Sequence, residues 1–298
     1  MSRIIDSILL PTDGSEGAIT GAKHGIALAS RTGADVHVLS VVETDAETDE
    51  LEDAGALSTL EQNAQEATET VARLAREFDD ELDVTTTVER GTPFQSIREY
   101  AHRRGIDVIA IGTRGRSGLE RILLGSVTEN VLRTARTPVV AVPPDADVET
   151  IDDVAFGDML LPTDGSEGAA IATEWGIALA TLLDSMVHSV YSVDTNAFAG
   201  AQDPRELLDA LERRGEAALE TVRERARSAD VTVSGSIASG APAAVITEYA
   251  TDQDVDLIVM GTHGRTGIGQ WFLGSVTENV VRQTEVPVFC VPVSAPSP

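Results

Sequence analysis

The chain repeats itself, and this repeat limits its architecture more than any other feature of the sequence. Three segments of the first half recur unchanged in the second half: Leu9–Ala18 at Leu160–Ala169, Gly25–Ala29 at Gly176–Ala180, and Gly125–Val131 at Gly274–Val280. A repeat of about 150 residues is too long for a solenoid unit and has the size of a domain. The sequence therefore predicts a duplicated domain.

The segment between the copies has the composition of a linker. Pro143–Gly157 contains two prolines and a series of acidic residues, and connections of this kind usually run over the surface. We expect a first domain over residues 1–144, a linker over 145–156 and a second domain over 157–298.

Within each copy, short runs of β-branched residues alternate with longer helical patterns, which is typical of βαβ units around a parallel sheet. The first copy predicts strands at Ile4–Leu10, Val36–Val42, Val84–Val88, Val108–Ile111 and Val139–Val142. It predicts helices at Ser15–Thr32, Glu61–Phe78, Thr92–Arg104 and Val127–Ala135. In the second copy, Asp203 before Pro204 predicts a helix start. Each domain is expected to be a doubly wound, open α/β sheet of five parallel strands, with its ligand at their carboxyl ends.

The charge balance restricts the partners. The 298 residues include 49 acidic and 22 basic residues, giving a net charge of −27. Nucleic acids and anionic lipid surfaces favour cationic proteins, so we expect neither as a partner. Lys23 is the only lysine. Excess carboxylate with almost no lysine resembles proteins of salt-accumulating halophiles, in which screening removes self-repulsion. An ordinary acidic protein would explain the charge alone.

Cysteine use and hydropathy favour a cytoplasmic protein. Cys290 is the only cysteine, so an intrachain disulfide is excluded and a reducing compartment fits. We find no apolar stretch of about 18 residues and no signal-peptide pattern over residues 1–13. The sequence therefore predicts a soluble protein without a membrane anchor.

A glycine-rich spacing follows the fourth predicted strand of each copy. Gly112 and Gly115 are followed after nine residues by Gly125 and Ser126, and the second copy repeats this as Gly261, Gly264, Gly274 and Ser275. Glycine permits positive φ and close backbone approach to a ligand. A helix N-terminus offers free N–H groups to an anion. The pattern predicts a phosphate-binding turn that needs no lysine.

A simpler explanation exists for the serines. Ser126 with Glu129, and Ser275 with Glu278, have the spacing of capping boxes, so each serine hydroxyl could start the helix while its N–H faces a ligand. Arg116 and Arg265 could neutralise phosphate charge or be solvated loop residues. His263, where the first copy has Arg114, adds one titratable donor. The other histidines lack metal-ligand spacing, so no metal site is expected from the protein alone.

Together, the Gly-x2-Gly-x9-Gly-Ser spacing, the Pro-Thr-Asp-Gly-Ser segment after the first strand and the closing Pro-Val-Val-Ala-Val strand resemble the universal stress protein family. The resemblance covers both copies and is to the ATP-binding type, as a tandem protein with a haloarchaeal-like composition. It implies two Rossmann-like domains of the adenine-nucleotide α-hydrolase-like kind, with ATP across the ends of strands one and four.

The resemblance also implies residue roles. Asp13 and Asp164 would lie at the ribose or phosphate, and Val41 near the adenine, with Ser192 or Val193 as its counterpart. The full predicted nucleotide site is Pro11, Thr12, Asp13, Val41, Gly112, Gly115, Arg116, Gly125, Ser126, Val127 and Thr128 in the first copy, and Pro162, Thr163, Asp164, Val193, Gly261, His263, Gly264, Arg265, Gly274, Ser275, Val276 and Thr277 in the second. Asp13 could instead be a plain turn residue.

In the family the last strand pairs across a two-fold axis. The resemblance therefore implies an internal pseudo-dimer through Pro138–Val142 and Pro287–Val291, and a homodimer of chains is an open alternative.

Three functions follow. The first is a stress-response protein that binds ATP, with or without Mg²⁺, or AMP or another adenine nucleotide, with at most slow hydrolysis. The second is an enzyme of a related fold, disfavoured because the expected His-x-Gly-His, Ser-Gly-Gly-x-Asp-Ser and Gly-x4-Gly-Lys elements are missing. The third is a scaffold or interaction protein whose glycine turns bind no nucleotide.

Overall fold

The computed structural model describes residues 4–44, 54–115, 124–194, 204–264 and 273–298. The described chain divides into two compact units, Met1–Val154 and Ala155–Pro298. The division falls inside the predicted linker. Within the described ranges, none of the helices is both long enough and apolar enough to cross a lipid bilayer. Asp203, the predicted N-cap, lies outside the described residues.

The first unit is a parallel sheet with the strand order β3-β2-β1-β4-β5. Its strands are β1 (Ser7–Pro11), β2 (Asp35–Glu43), β3 (Val84–Gly91), β4 (Val108–Gly112) and β5 (Val139–Val142). Its helices are α1 (Glu16–Thr32), α2 (Ala54–Phe78), α3 (Pro93–Arg104) and α4 (Ser126–Thr134).

The second unit has the same design, with the strand order β8-β7-β6-β9-β10. Its strands are β6 (Asp158–Pro162), β7 (Met186–Val193), β8 (Val233–Ser239), β9 (Leu257–Gly261) and β10 (Val288–Val291). Its helices are α5 (Glu167–Leu183), α6 (Pro204–Ser228), α7 (Pro242–Asp252) and α8 (Ser275–Gln283). The predicted parallel α/β fold in two copies is confirmed.

Helices cover both faces of each sheet, as the alternation of side chains along β7 illustrates. His188 points to one face, where its Nδ1 lies 3.3 Å from the hydroxyl of Tyr249 on α7. Tyr191 and Val193 point to the other face and pack against Ala218 of α6. Because side chains alternate along a strand, residues one position apart on β7 face different helices.

Local capping explains where the first elements begin and end. The Ser15 side chain accepts a hydrogen bond from the Ala18 amide and caps α1, and Gly33 ends the helix with φ 68°. The carboxylate of Asp107 accepts the amide hydrogens of Asp6 and Ser7. The Asp6 carbonyl oxygen accepts the amide hydrogen of Asp35 on β2 at 2.9 Å, so the pairing with β2 starts here. The strand β1 begins at Ser7, three residues later than predicted.

The segment after β5 forms two short 3-10 turns, Pro144–Ala146 and Ile151–Asp153, and is attached to α1. The Lys23 ammonium lies 3.0 Å from an Asp147 carboxylate oxygen, and Nε2 of His24 lies 2.8 Å from the Ala146 carbonyl oxygen. In the second unit, the indole N–H of Trp175 donates to the Pro296 carbonyl oxygen at 3.0 Å. Each unit thus fastens the segment after its last strand to its first helix.

Candidate functional site

A cleft of about 430 Å³ lies at the carboxyl edge of the first sheet. The ends of β1, β2 and β4 form its floor, and α2, α3 and the start of α4 form its sides. The strand order reverses between β1 and β4, and doubly wound sheets bind ligands at such a reversal. The volume is within the range of small-molecule sites.

The predicted site of the first copy coincides with this cleft. All of its residues that the structure describes line the cleft: Pro11, Thr12, Asp13, Val41, Gly112, Gly115, Gly125, Ser126, Val127 and Thr128. Arg116 and Arg265 lie outside the described residues. The roles assigned to these residues remain predictions.

The N-terminus of α4 faces the cleft without a side-chain cap. Gly125 is the N-cap residue, with φ −60°, and no side chain bonds to the first turn there. The suggestion that the Ser126 hydroxyl caps the helix is wrong, because Ser126 is the first helical residue and is exposed. The first N–H groups of a helix have no partner inside it, so the amides of Ser126 and Val127 are available to a ligand.

Two hydrogen bonds hold this N-terminus beside the end of β4. The Gly125 amide donates to the Thr113 carbonyl oxygen at 2.8 Å. The buried Thr128 hydroxyl donates to the Gly112 carbonyl oxygen at 2.7 Å. Thr128 therefore borders the cleft, but its hydroxyl is used to position the turn.

Gly112 serves helix packing, which is a different reason for glycine from the one the sequence suggested. A Cβ at Gly112 would overlap the carbonyl oxygen of Gly17 on α1, and a Cβ at Gly21 would lie 2.5 Å from the Gly112 amide nitrogen. None of Gly112, Gly115 and Gly125 has a positive φ among the described glycines. The nearest described glycine in sequence with a positive φ is Gly14 (79°), which follows the cleft residue Asp13.

The Asp13 carboxylate connects the end of β1 to the glycine turn. Its Oδ1 accepts hydrogen bonds from the Ser15 amide, at 3.0 Å, and from the Ser15 hydroxyl. Its Oδ2 lies on the side of Gly115, where an added Cβ would be 3.1 Å away. Asp13 is thus a turn residue that also presents a carboxylate oxygen to the cleft, and Ser15, not Asp13, caps α1.

The second copy repeats this geometry. The Gly274 amide donates to the Thr262 carbonyl oxygen at 2.8 Å, and the Thr277 hydroxyl donates to the Gly261 carbonyl oxygen at 2.8 Å. The Asp164 carboxylate accepts the Ser166 amide hydrogen at 2.9 Å, and an added Cβ at Gly264 would lie 3.1 Å from Asp164 Oδ2. Pro162 ends β6 and Thr163 follows it, as Pro11 and Thr12 do at the end of β1. Ser275 and Val276 begin α8, as Ser126 and Val127 begin α4.

His263 replaces Arg114 in the second turn. Its Nδ1 lies 2.9 Å from the Thr262 hydroxyl. Its Nε2 is buried and has no hydrogen-bond partner in the described part of the chain. The substitution exchanges a guanidinium group for an imidazole ring.

The strand registers identify the counterpart of Val41. Pro11 is paired with Leu39 on β2, and Pro162 with Val190 on β7, so Val41 corresponds to Ser192. Val193, the predicted site residue, corresponds instead to Val42, which also lines the first cleft. Val193 packs with Tyr191 and Ala218, and its role in the second site stays a prediction. The Ser192 hydroxyl donates to the Gly240 carbonyl oxygen at 2.9 Å.

The sequence did not indicate the α2 side of the cleft. This side is lined by Leu60, Asn63 and Ala64 of α2, together with Ser40 of the adjacent strand β2. The helical pattern of α2 includes Ala64 as a core position, but periodicity does not show which of the core positions meets a cleft.

Comparisons with known proteins agree with this architecture. The model of the universal stress protein family matches residues 5–143 and 155–292. A universal stress protein of Methanocaldococcus jannaschii is 37% identical over 136 residues, covering 45% of this chain and 80% of that protein. A universal stress protein of Synechocystis is 26% identical over 302 residues, covering 95% of this chain and 98% of that one. The crystal structure of a universal stress protein from Archaeoglobus fulgidus has the same fold, with a TM-score of 0.73 at 23% identity and 96% of each chain covered.

Proposed function

Because the chain belongs to the universal stress protein family, with one family domain in each half, we propose that it is a stress-response protein that binds ATP or a related adenine nucleotide. Binding, with at most slow hydrolysis, would be its activity. The protein would then report nucleotide levels to another component of the cell.

The observation that carries this proposal is the layout of the first cleft. The uncapped N-terminus of α4 borders one end of it, and β2 with α2 borders the other. β1 lies between β4 and β2, so the two ends are two strand spacings apart, or about 10 Å. A nucleotide can span this distance with its phosphates at the helix N-terminus and its base beside Val41.

Main-chain amides can bind the phosphates without lysine. Hydrogen bonds to charged groups contribute about 1.5–3 kcal/mol each, and a helix N-terminus favours an anion. Three such bonds together with burial of the base would reach the roughly 8 kcal/mol of a micromolar complex. Arg114 lines the cleft and adds positive charge beside the turn.

Asp13 has two compatible roles in this site. Its carboxylate could accept a hydrogen bond from a ribose hydroxyl. It could also ligate a Mg²⁺ ion shared with the phosphates, since Mg²⁺ in nucleotide sites is commonly bound by one or two carboxylates plus phosphate oxygens. Comparing the effect of Mg²⁺ on affinity in the wild type and in Asp13→Asn distinguishes the two roles, because only ligation by Asp13 makes that effect depend on this carboxylate.

The test is an equilibrium titration of the full chain with labelled ATP in molar KCl. We expect saturable binding that is lost in the double variant Gly115→Val, Gly264→Val, whose side chains would crowd both turns. Gln62→Ala, on the exposed face of α2, is the control and should bind like the wild type. Absence of saturable binding by the wild type would favour the scaffold alternative. Phosphate release well above that of the double variant would favour a weak ATPase.

The remaining expectations are part of the same proposal. They are a cytoplasmic location, adaptation to high salt, no nucleic-acid or membrane partner, and pairing of the two copies through their last strands. Competition by AMP and by a cyclic nucleotide ranks the ligands, and sedimentation of the chain in molar KCl shows whether it forms a homodimer.

A further inference from the structure

One pair of facing positions in the wall of the cleft differs strongly in size between the two copies. In the first unit, Ser40 of β2 and Ala64 of α2 line the cleft together. In the second unit, the corresponding positions hold Tyr191 and Gly215. In the first unit the small Ser40 faces Ala64, whereas in the second unit the large Tyr191 faces Gly215.

The correspondence rests on register and burial. Ser40 follows Leu39, the partner of Pro11, and Tyr191 follows Val190, the partner of Pro162. The buried positions of α2 and α6 agree at the offset of 151 that separates the first two repeated segments: Ala64, Ala67, Val71 and Ala75 in α2, and Gly215, Ala218, Val222 and Ala226 in α6.

The Tyr191 ring occupies the space between β7 and α6. Its side chain is 2% exposed and packs with Val193, Ala218 and Leu219. A Cβ at Gly215 would lie 2.7 Å from Cδ1 of the ring, so the ring requires glycine at that position. The tyrosine and the glycine therefore form one coupled feature.

A third residue changes its environment with this pair. Leu60, which lines the first cleft, is 39% exposed. Its counterpart Leu211 is partly buried against the Tyr191 cluster. Ser40, Leu60 and Ala64, which line the cleft of the first unit, thus correspond to residues that pack together in the second unit. These residues are Tyr191, Leu211 and Gly215.

We propose that the two domains are not equivalent binding sites, an inference that rests on the proposed function. The first domain takes the complete adenine nucleotide. In the second domain the Tyr191 ring fills the space that the nucleoside uses in the first. The second site then binds a polyphosphate group through its turn and has little affinity for the nucleoside.

The second site keeps its anion-binding elements. Gly274 is an N-cap without a side-chain bond, with φ −61°, and Thr277 holds the end of β9 as Thr128 holds the end of β4. The Tyr191–Gly215 pair therefore lies at the end of the cleft that is remote from the phosphate turn, and His263 in place of Arg114 is the difference at the turn itself. Inorganic tripolyphosphate, which has no base or sugar, is the probe for this site.

The first experiment counts the sites in the full chain by equilibrium dialysis with labelled ATP in molar KCl. We expect one tight site per chain, abolished by Gly115→Val and unaffected by Gly264→Val. Labelled tripolyphosphate should still bind to the Gly115→Val protein and lose that binding when Gly264→Val is added.

The second experiment exchanges the pair between the domains. Tyr191→Ser with Gly215→Ala should give a second tight ATP site. Ser40→Tyr with Ala64→Gly should weaken ATP binding at the first site by about tenfold or more, while tripolyphosphate binding is retained. Circular dichroism verifies the fold of each variant, and the single-site glycine variants decide the question if an exchanged protein does not fold.

The outcomes separate this inference from the function it rests on. Two equal ATP sites in the wild type, or loss of the tight site on Gly264→Val, would overturn the non-equivalence and leave nucleotide binding intact. Failure of ATP and tripolyphosphate alike to bind the wild type would overturn the proposed function itself.

Discussion

The Thr128 hydroxyl donates a hydrogen bond of 2.7 Å to the carbonyl oxygen of Gly112, and so joins the first turn of α4 to the end of β4. The acceptor belongs to the last residue of the strand, where the parallel ladder ends. A helix N-terminus is useful to a ligand only if it is held at a fixed place, and this bond fixes it.

Replacing Thr128 tests this positioning role. Thr128→Val keeps the shape of the side chain but leaves a buried carbonyl oxygen unpaired, at a cost of about 1–3 kcal/mol. We expect a lower free energy of unfolding in urea and weaker ATP binding at the first turn. Thr128→Ser keeps the donor and should restore most of the affinity. Equal ATP binding by the valine and serine variants would show that the bond does not position the turn.

Gly112 provides a second prediction, on packing. Gly112→Ala places a methyl group against the Gly17 carbonyl of α1, so α1 must move away from β4. We expect destabilisation of about 1–3 kcal/mol, as for overpacked cores, measured as a lower urea midpoint. Gly115→Ala, where the Asp13 carboxylate is the one close neighbour among the described residues, is the matched control and should unfold close to the wild type. A stable Gly112→Ala protein would contradict the close approach of α1.

His24 predicts a dependence of stability on pH. Burial lowers the pKa of His24 below its ordinary value of 6.5, with the Ala146 carbonyl and Asp147 acting in the opposite direction. A lowered pKa in the folded state means that folding favours the neutral ring. The contribution of the neutral His24 ring to the free energy of unfolding is therefore complete above pH 6.5, and it is lost as the pH falls below that value.

We expect the urea midpoint to decrease between pH 7.5 and pH 5.5, and His24→Gln to reduce this decrease. Burial also lowers the pKa of His37, so part of the pH dependence should persist in the variant. His102 is exposed, and His102→Gln serves as the control with the wild-type slope. A slope that His24→Gln leaves unchanged would rule out His24 as a source of the effect.

The net charge of −27 predicts a requirement for salt. The screening length is about 3 Å at 1 M ionic strength and about 10 Å at 0.1 M, so dilution of the salt restores repulsion among the carboxylates. We expect helical ellipticity to decrease as KCl falls below the molar range. Equimolar NaCl should substitute for KCl, while an osmotically matched sucrose solution should not replace the screening. Full ellipticity in dilute buffer would favour an ordinary acidic protein.

The fold was predictable because local signals and the repeat agree. Ser15 and Gly33 mark the limits of α1 in the sequence and in the structure, and the β-branched runs became the strands. The start of α2 at Ala54 is earlier than predicted. Leu57 and Leu60 continue the three-and-four spacing of the later apolar residues, but Gly55, Ser58 and Thr59 between them are weak helix formers.

The site was less predictable wherever it depends on a single residue position. A shift of one residue decided between Ser192 and Val193, and only the pairing of Pro162 with Val190 resolves it. The capping-box spacing suggested that the Ser126 hydroxyl caps α4, although Gly125 is the N-cap residue and Ser126 is the first helical residue. Spacing alone does not distinguish an N-cap residue from the residue after it.

The close fit between Tyr191 and Gly215 restricts how one arrangement can be converted into the other by single replacements. A tyrosine facing alanine would have its ring 2.7 Å from the methyl carbon, whereas serine facing glycine leaves only a small void. Any viable route between the two domain types therefore passes through the serine–glycine combination. On the way to the second-domain type, glycine must replace alanine before tyrosine replaces serine. On the way to the first-domain type, serine must replace tyrosine before alanine replaces glycine.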